Sequence, residues 1–177
     1  MNEPFRIKDL TAGLPGVTPT VGQHMYEGCV VSLHQQQHTS PSKLYANING
    51  VEHIYDIMWP DVCTQQMERA WRDQEVATEH GAVCISILLA LKNTKYTVIE
   101  RSRKGTGIDY WLGEKDDLLF QKAARLEVSG IFKGDAKDIA KRVEKKRKQT
   151  QKSDATSLPV YISVVEFSRP TATFVLK

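Results

Sequence analysis

The sequence predicts an α/β (α+β) protein: a central mixed sheet flanked by helices, with an N-terminal β-hairpin extension. Three observations carry this. β-Branched and aromatic runs recur between two long helical stretches. Asn49-Gly50 joins two such runs as a tight hairpin turn. From Gln65 onward the elements read α-β-β-β-α-β-β, an order that lays helices on a sheet. With 177 residues, of which 41% are apolar and 25% charged, the chain is long enough for one sizeable core and too apolar for wholesale disorder.

Residues 1–25 carry Pro4, Gly13, Pro15, Gly16, Pro19 and Gly22, punctuation that predicts an irregular arm. Glu27–Gln36, Lys43–Ile48 and His53–Trp59 read as strands, with His34 to His38 as a polar tip. Asp61 and Thr64 are caps for a helix over Gln65–Leu91, polar at first and apolar from Ala82, as a helix entering the interior should be. Strands follow over Tyr96–Arg101, Ile108–Leu112 and Ala123–Ile131, separated by Gly105-Thr106-Gly107 and by the turn Gly113–Asp117. Asp135 caps a helix over Ala136–Gln149 whose apolar face is Ile139 and Val143. A polar linker, Thr150–Ser157, precedes strands over Val160–Phe167 and Thr171–Leu176. The expected organisation is an arm and strand extension over 1–60 and a core over 61–177.

Net charge is only +3, but it is unevenly spread. Arg101 to Lys152 holds 15 basic and 8 acidic residues, the rest 9 and 13. Lys141 to Lys148 alone has six basic residues in eight. Such asymmetry points to a polyanion, with a solvated helix face as the plainer alternative. No apolar run reaches the roughly 18 residues of a membrane span. The first ten residues lack an apolar leader core, so a cytoplasmic protein is expected. Cys29, Cys63 and Cys84 show no zinc spacing and read as reduced thiols; His34 and His38 lack a third ligand in sequence.

Three acids stand out by placement. Glu79 lies on the long helix, Asp109 opens the second core strand, and Glu127 sits inside the third. Strand alternation puts Leu126 and Val128 on one face, and Arg125, Glu127 and Ser129 on the other. A carboxylate within a central strand is costly unless it is paired or bound to a metal. Two carboxylates on adjacent strands can share a divalent cation, which activates water and polarises a phosphodiester. The structural alternatives are an ion pair of Glu127 with Arg125 or Arg101, and an Asx turn at Asp109.

The segments Thr78-Glu79-His80-Gly81, Gly107-Ile108-Asp109-Tyr110-Trp111-Leu112 and Leu126-Glu127-Val128-Ser129-Gly130 resemble the PD-(D/E)XK nuclease superfamily of restriction enzymes and Holliday-junction resolvases. The resemblance spans roughly residues 65–167 and implies a restriction-endonuclease-like core of order α-β-β-β-α-β. It implies a DNA endonuclease in which Asp109 and Glu127 hold Mg²⁺ or Mn²⁺, helped by Glu79. Ser129 stands where the family's motif lysine belongs. A relocated lysine would be Lys122, Lys104, Lys141 or Lys145, or Arg125 could supply the charge. The candidate catalytic set is therefore Glu79, Asp109, Glu127, Ser129, Lys122 and Lys145. Arg101, Arg103, Lys104, Arg125, Lys141, Arg142, Lys145, Lys146 and Lys148 are the candidates for gripping nucleic acid. If no cation reaches the acids, the expectation becomes a degenerate module that binds nucleic acid or a partner protein. Cutting both strands of a duplex would require a homodimer or larger complex, or repeated turnover.

Overall fold

In the computed structural model, which describes residues 2–177, the chain forms β1 (Glu3–Arg6), α1 (Pro19–Gln35), β2 (Ser42–Ile48), β3 (Val51–Met58), α2 (Gln65–Ala70), α3 (Gln74–Asn93), β4 (Tyr96–Arg101), β5 (Tyr110–Glu114), β6 (Ala124–Ile131), α4 (Ala136–Gln149), β7 (Val160–Glu166) and β8 (Thr171–Leu176). Met1, the first residue of the expected arm, lies outside the described residues. The fold is α+β. One mixed eight-stranded sheet, in the order β1-β3-β2-β8-β7-β6-β5-β4, is flanked by helices.

Strands β4, β5 and β6 form an antiparallel meander, β7 joins β6 in parallel through α4, and β8 returns antiparallel. The hairpin of β2 and β3 is the one predicted at Asn49-Gly50, and β2 adds to β8 in parallel. Residues 1–60 and 61–177 therefore share one sheet. They also share one core, in which Phe5, Tyr26 and Leu44 join Ile85, Leu126 and Phe174.

Side-chain alternation along β6 sorts the layers. Leu126 and Val128 enter the core with α1 and α3, whereas Ile131 packs with Ile162, Val164 and the α4 residues Ile139 and Val143. Helices thus cover both faces of the sheet, and Glu127 and Ser129 face α4. None of the described helices is long and apolar enough to cross a membrane.

Two local expectations are corrected. Glu27–Gln36 is the second half of helix α1, to Gln35, with its C-cap, Gln36, not a strand, and α1 takes up part of the expected arm. Thr18 caps it by accepting from the Val21 N–H, with Pro19 at its first position. Its buried Tyr26, Cys29, Val30 and Leu33 follow helical spacing against α3, so tertiary burial overrides the β-branched propensity. The expected helix over Gln65–Leu91 is two helices. Trp71 leaves the first to donate its indole N–H to Glu27 Oε1 (2.9 Å), and Asp73 recaps the second through the Glu75 and Val76 N–H groups.

Candidate active site

Asp109 lies just before β5, where the chain enters the sheet beside β6. Its N–H donates to Leu126 O (2.9 Å), and its Oδ2 accepts from the Val128 N–H (2.8 Å). The side chain takes a ladder position and is pinned next to Glu127, the residue between those two partners.

Glu127 is 1% exposed. Its Oε1 accepts from Lys146 Nζ (2.5 Å) and from Gln149 Nε2 (2.7 Å). Its Oε2 is buried and has no partner. Burial, and next the negative charge of Asp109, push its pKa up to about 8 against the opposing pull of Lys146. A buried acceptor left empty beside a second carboxylate is the environment in which a cation relieves both the desolvation and the repulsion.

Helix α4 supplies the cations by register. Asp135 and Asp138 form a capping box that sets its start. Ile139 and Val143 seat it on the sheet, which brings Arg142, Lys146 and Gln149, at spacings of four and three, onto β6. Arg142 donates to Ser129 Oγ (2.7 Å) and to Gly130 O (3.3 Å). Ser129 is therefore occupied by a guanidinium, and the ammonium beside the glutamate comes from Lys146.

Two cavities meet this group. One, about 160 Å³, is lined by Glu79, His80, Arg101, Asp109, Ser129 and Lys146 among others. The second, about 390 Å³, shares Arg101 and Asp109 and adds Arg103, Lys104 and Gln149. Gly130 lets α3 approach, since a Cβ there would lie 2.6 Å from Thr78 O; this sets Glu79 beside β6. Gly107 has φ +77°, and a Cβ there would lie 2.2 Å from Gln149 O, so the loop carrying Arg103 and Lys104 is seated on the end of α4. His80 packs edge-on against His24 and Trp71, and burial, then His24 and Arg101, lower its pKa.

The structure thus brings together Asp109, Glu127, Ser129, Arg101, Arg142 and Lys146. Glu79 lines the same cavity but is exposed and stands back: its oxygens and those of Asp109 and Glu127 do not all lie within 4.8 Å of one another. Lys122 lies elsewhere, paired with Glu100 (3.1 Å) and set over the Trp111 ring. Arg125 is buried, donating to Leu158 O, Ser153 Oγ and Asp154 Oδ1, so it clamps the Thr150–Thr156 turn instead of facing solvent. Lys141, Lys145 and Lys148 are exposed on α4, and Arg103 and Lys104 on their loop. Sequence reasoning placed Lys146 only among the nucleic-acid contacts and passed over Gln149 and His80. The signal for the first two was present: Ile139 and Val143 mark the inward face, and 142, 146 and 149 flank it.

Comparisons with protein-family models, with curated proteins and with solved structures found no match.

Proposed function

We propose that the protein is a metal-dependent DNA endonuclease of the PD-(D/E)XK type, with the motif lysine relocated to Lys146 on α4. The observation that carries this reading is the buried Glu127, with an unpartnered oxygen beside Asp109 and the Lys146 ammonium on its other oxygen. The order α3-β4-β5-β6-α4-β7 supports it, being the core order of that superfamily.

Asp109 and Glu127 would hold Mg²⁺ or Mn²⁺, and both fit by chemistry, as hard oxygen donors of which Glu127 Oε2 receives no hydrogen bond. Such a cation supplies an activated water and neutralises charge on the scissile phosphate. The chain's own groups do the rest. The Val128 N–H holds the Asp109 carboxylate in place, and Gln149 and Lys146 fix Glu127. Lys146, in the cavity wall, meets the negative charge that develops on phosphate oxygen during hydrolysis. Arg101, Arg103 and Lys104 line the second cavity and grip the flanking backbone without reading sequence. A cytoplasmic place of action agrees with three unpaired thiols.

The test is cleavage of duplex and single-stranded DNA with Mg²⁺ or Mn²⁺. Asp109→Ala and Glu127→Ala should each abolish it while circular dichroism stays native; undiminished cleavage in both would refute the assignment. The second reading, a non-cleaving nucleic-acid-binding module, is favoured by one observation, the Arg142 guanidinium on Ser129. Salt-sensitive DNA binding with no cleavage in either metal would select it.

A further inference from the structure

We propose that His34, Cys63 and Glu68 form a zinc(II) site, separate from the carboxylate pair and independent of the nuclease reading. Their donor atoms, an imidazole nitrogen, a thiol sulfur and a carboxylate oxygen, all lie within 4.8 Å of one another. Among the described residues this is the only group of three ligand-type side chains that meets that condition.

Three separate segments converge to make it. His34 is in the last turn of α1, Cys63 lies in the segment between β3 and α2, and Glu68 is in α2. Cys63 and Glu68 are positioned by the cap and packing of α2, and His34 by its place at the end of α1. Thr64 caps α2 through the Met67 N–H, which fixes Glu68 one turn beyond Cys63. Cys63 and Met67 pack against Val31, Trp71 and Ala77. Asp61, just upstream, is tied by the Tyr26 hydroxyl and by Lys8. His34 Nε2 already meets Glu68 Oε1 at 3.1 Å, so two ligands face each other before any metal arrives.

The donor chemistry selects the metal. Mixed nitrogen, sulfur and oxygen ligation suits Zn²⁺, whereas Mg²⁺ and Ca²⁺ prefer oxygen alone. Three protein ligands leave one tetrahedral position for water. His38 does not complete the set, since its Nε2 is engaged with Phe167 O at 2.9 Å. Binding forms one Zn–S, one Zn–N and one Zn–O bond. The Cys63 thiol proton leaves to solvent, and the imidazole binds in its neutral form. The bound metal would cross-link α1 to α2.

The experiment titrates the reduced, full-length Asp109→Asn/Glu127→Gln protein with Co²⁺ and then displaces it with Zn²⁺. One equivalent of Co²⁺ should give a thiolate-to-metal charge-transfer band that Zn²⁺ bleaches, with release of a proton per metal. Cys29 and Cys84 are fully buried, so Cys63 is the thiol that reports. Cys63→Ser should lose the band, and His34→Asn, an exposed position, should weaken Zn²⁺ binding at least about tenfold by calorimetry. Absence of the band at one equivalent, or a band unchanged in Cys63→Ser, overturns the site. Zn²⁺ affinity unchanged in His34→Asn overturns it as well.

Discussion

Lys146 Nζ lies 2.5 Å from Glu127 Oε1, although the lysine belongs to α4 and the glutamate to the strand before it. The pair joins a 1%-exposed carboxylate to a cation at the cavity wall. A strand with serine two residues after its glutamate thus receives a positive charge at its acids from the helix that follows.

Lys146→Met should therefore lower single-turnover DNA cleavage by roughly 10²–10³, with a much smaller loss of DNA affinity. Lys145→Met, one residue away but exposed, should leave the chemical step within about threefold of wild type, near the noise of ordinary surface substitutions. Equal losses in the two variants, measured by quenched-flow cleavage and by filter binding, would remove Lys146 from the reaction.

Glu127 gives a pH prediction for the metal-free protein. Its folded pKa of about 8 lies above the ordinary 4.5, so the native state retains a proton that the unfolded chain has lost. The cost to stability is absent below about pH 4.5, grows as pH rises, and is complete above about pH 8. Glu127→Gln keeps the acceptor for Lys146 and removes the titration. In urea denaturation with chelator, the variant should match wild type near pH 4. By pH 8.5 it should exceed wild type by about 2–4 kcal/mol. A gap that does not widen with pH would contradict the shift.

Gly107 should be intolerant of any side chain. Gly107→Ala combines a left-handed backbone with a Cβ placed 2.2 Å from Gln149 O. A loss of about 2–3 kcal/mol in thermal or denaturant unfolding is expected. Because Gln149 also donates to Glu127, cleavage should fall more than stability alone explains.

The loop cations should act by charge. Arg103→Ala with Lys104→Ala should reduce the slope of log K against log[salt] by about 0.9 for each phosphate of duplex DNA that is no longer neutralised. The weakening should be similar across unrelated sequences. Arg125→Ala should behave differently. It leaves the Leu158 carbonyl without its guanidinium donors, and should cost roughly 1–3 kcal/mol of stability with no separate effect on the salt slope.

The core elements from β4 to β8 were legible because each carries its own local signal: period-two alternation in β6, the Asp135 cap, glycine turns between strands. The pairing of Glu127 and Asp109 followed from placement alone. Helix α1 was not legible as such, because Cys29-Val30-Val31 reads as a strand until α3 and the Ile7–Ala12 turn bury it. Lys146 was missed by one residue in a stretch where cations occupy most positions, so composition could not select among them. The apolar pair Ile139 and Val143 could have, since helix geometry leaves 142, 146 and 149 on the sheet side. The His34–Cys63–Glu68 group depends on the approach of α1 to α2, which no local pattern encodes.

The parallel pairing of β2 with β8 has a kinetic consequence. Tyr45 to Ile48 hydrogen-bond into the sheet only beside Thr171 to Phe174. During synthesis the β2–β3 hairpin must wait, with an open edge, until Thr171 to Phe174 have emerged. Contacts of such sequence separation slow folding, and a waiting strand edge invites pairing with the wrong partner. The hairpin that extends the sheet is thus the part of the molecule most exposed to misassembly.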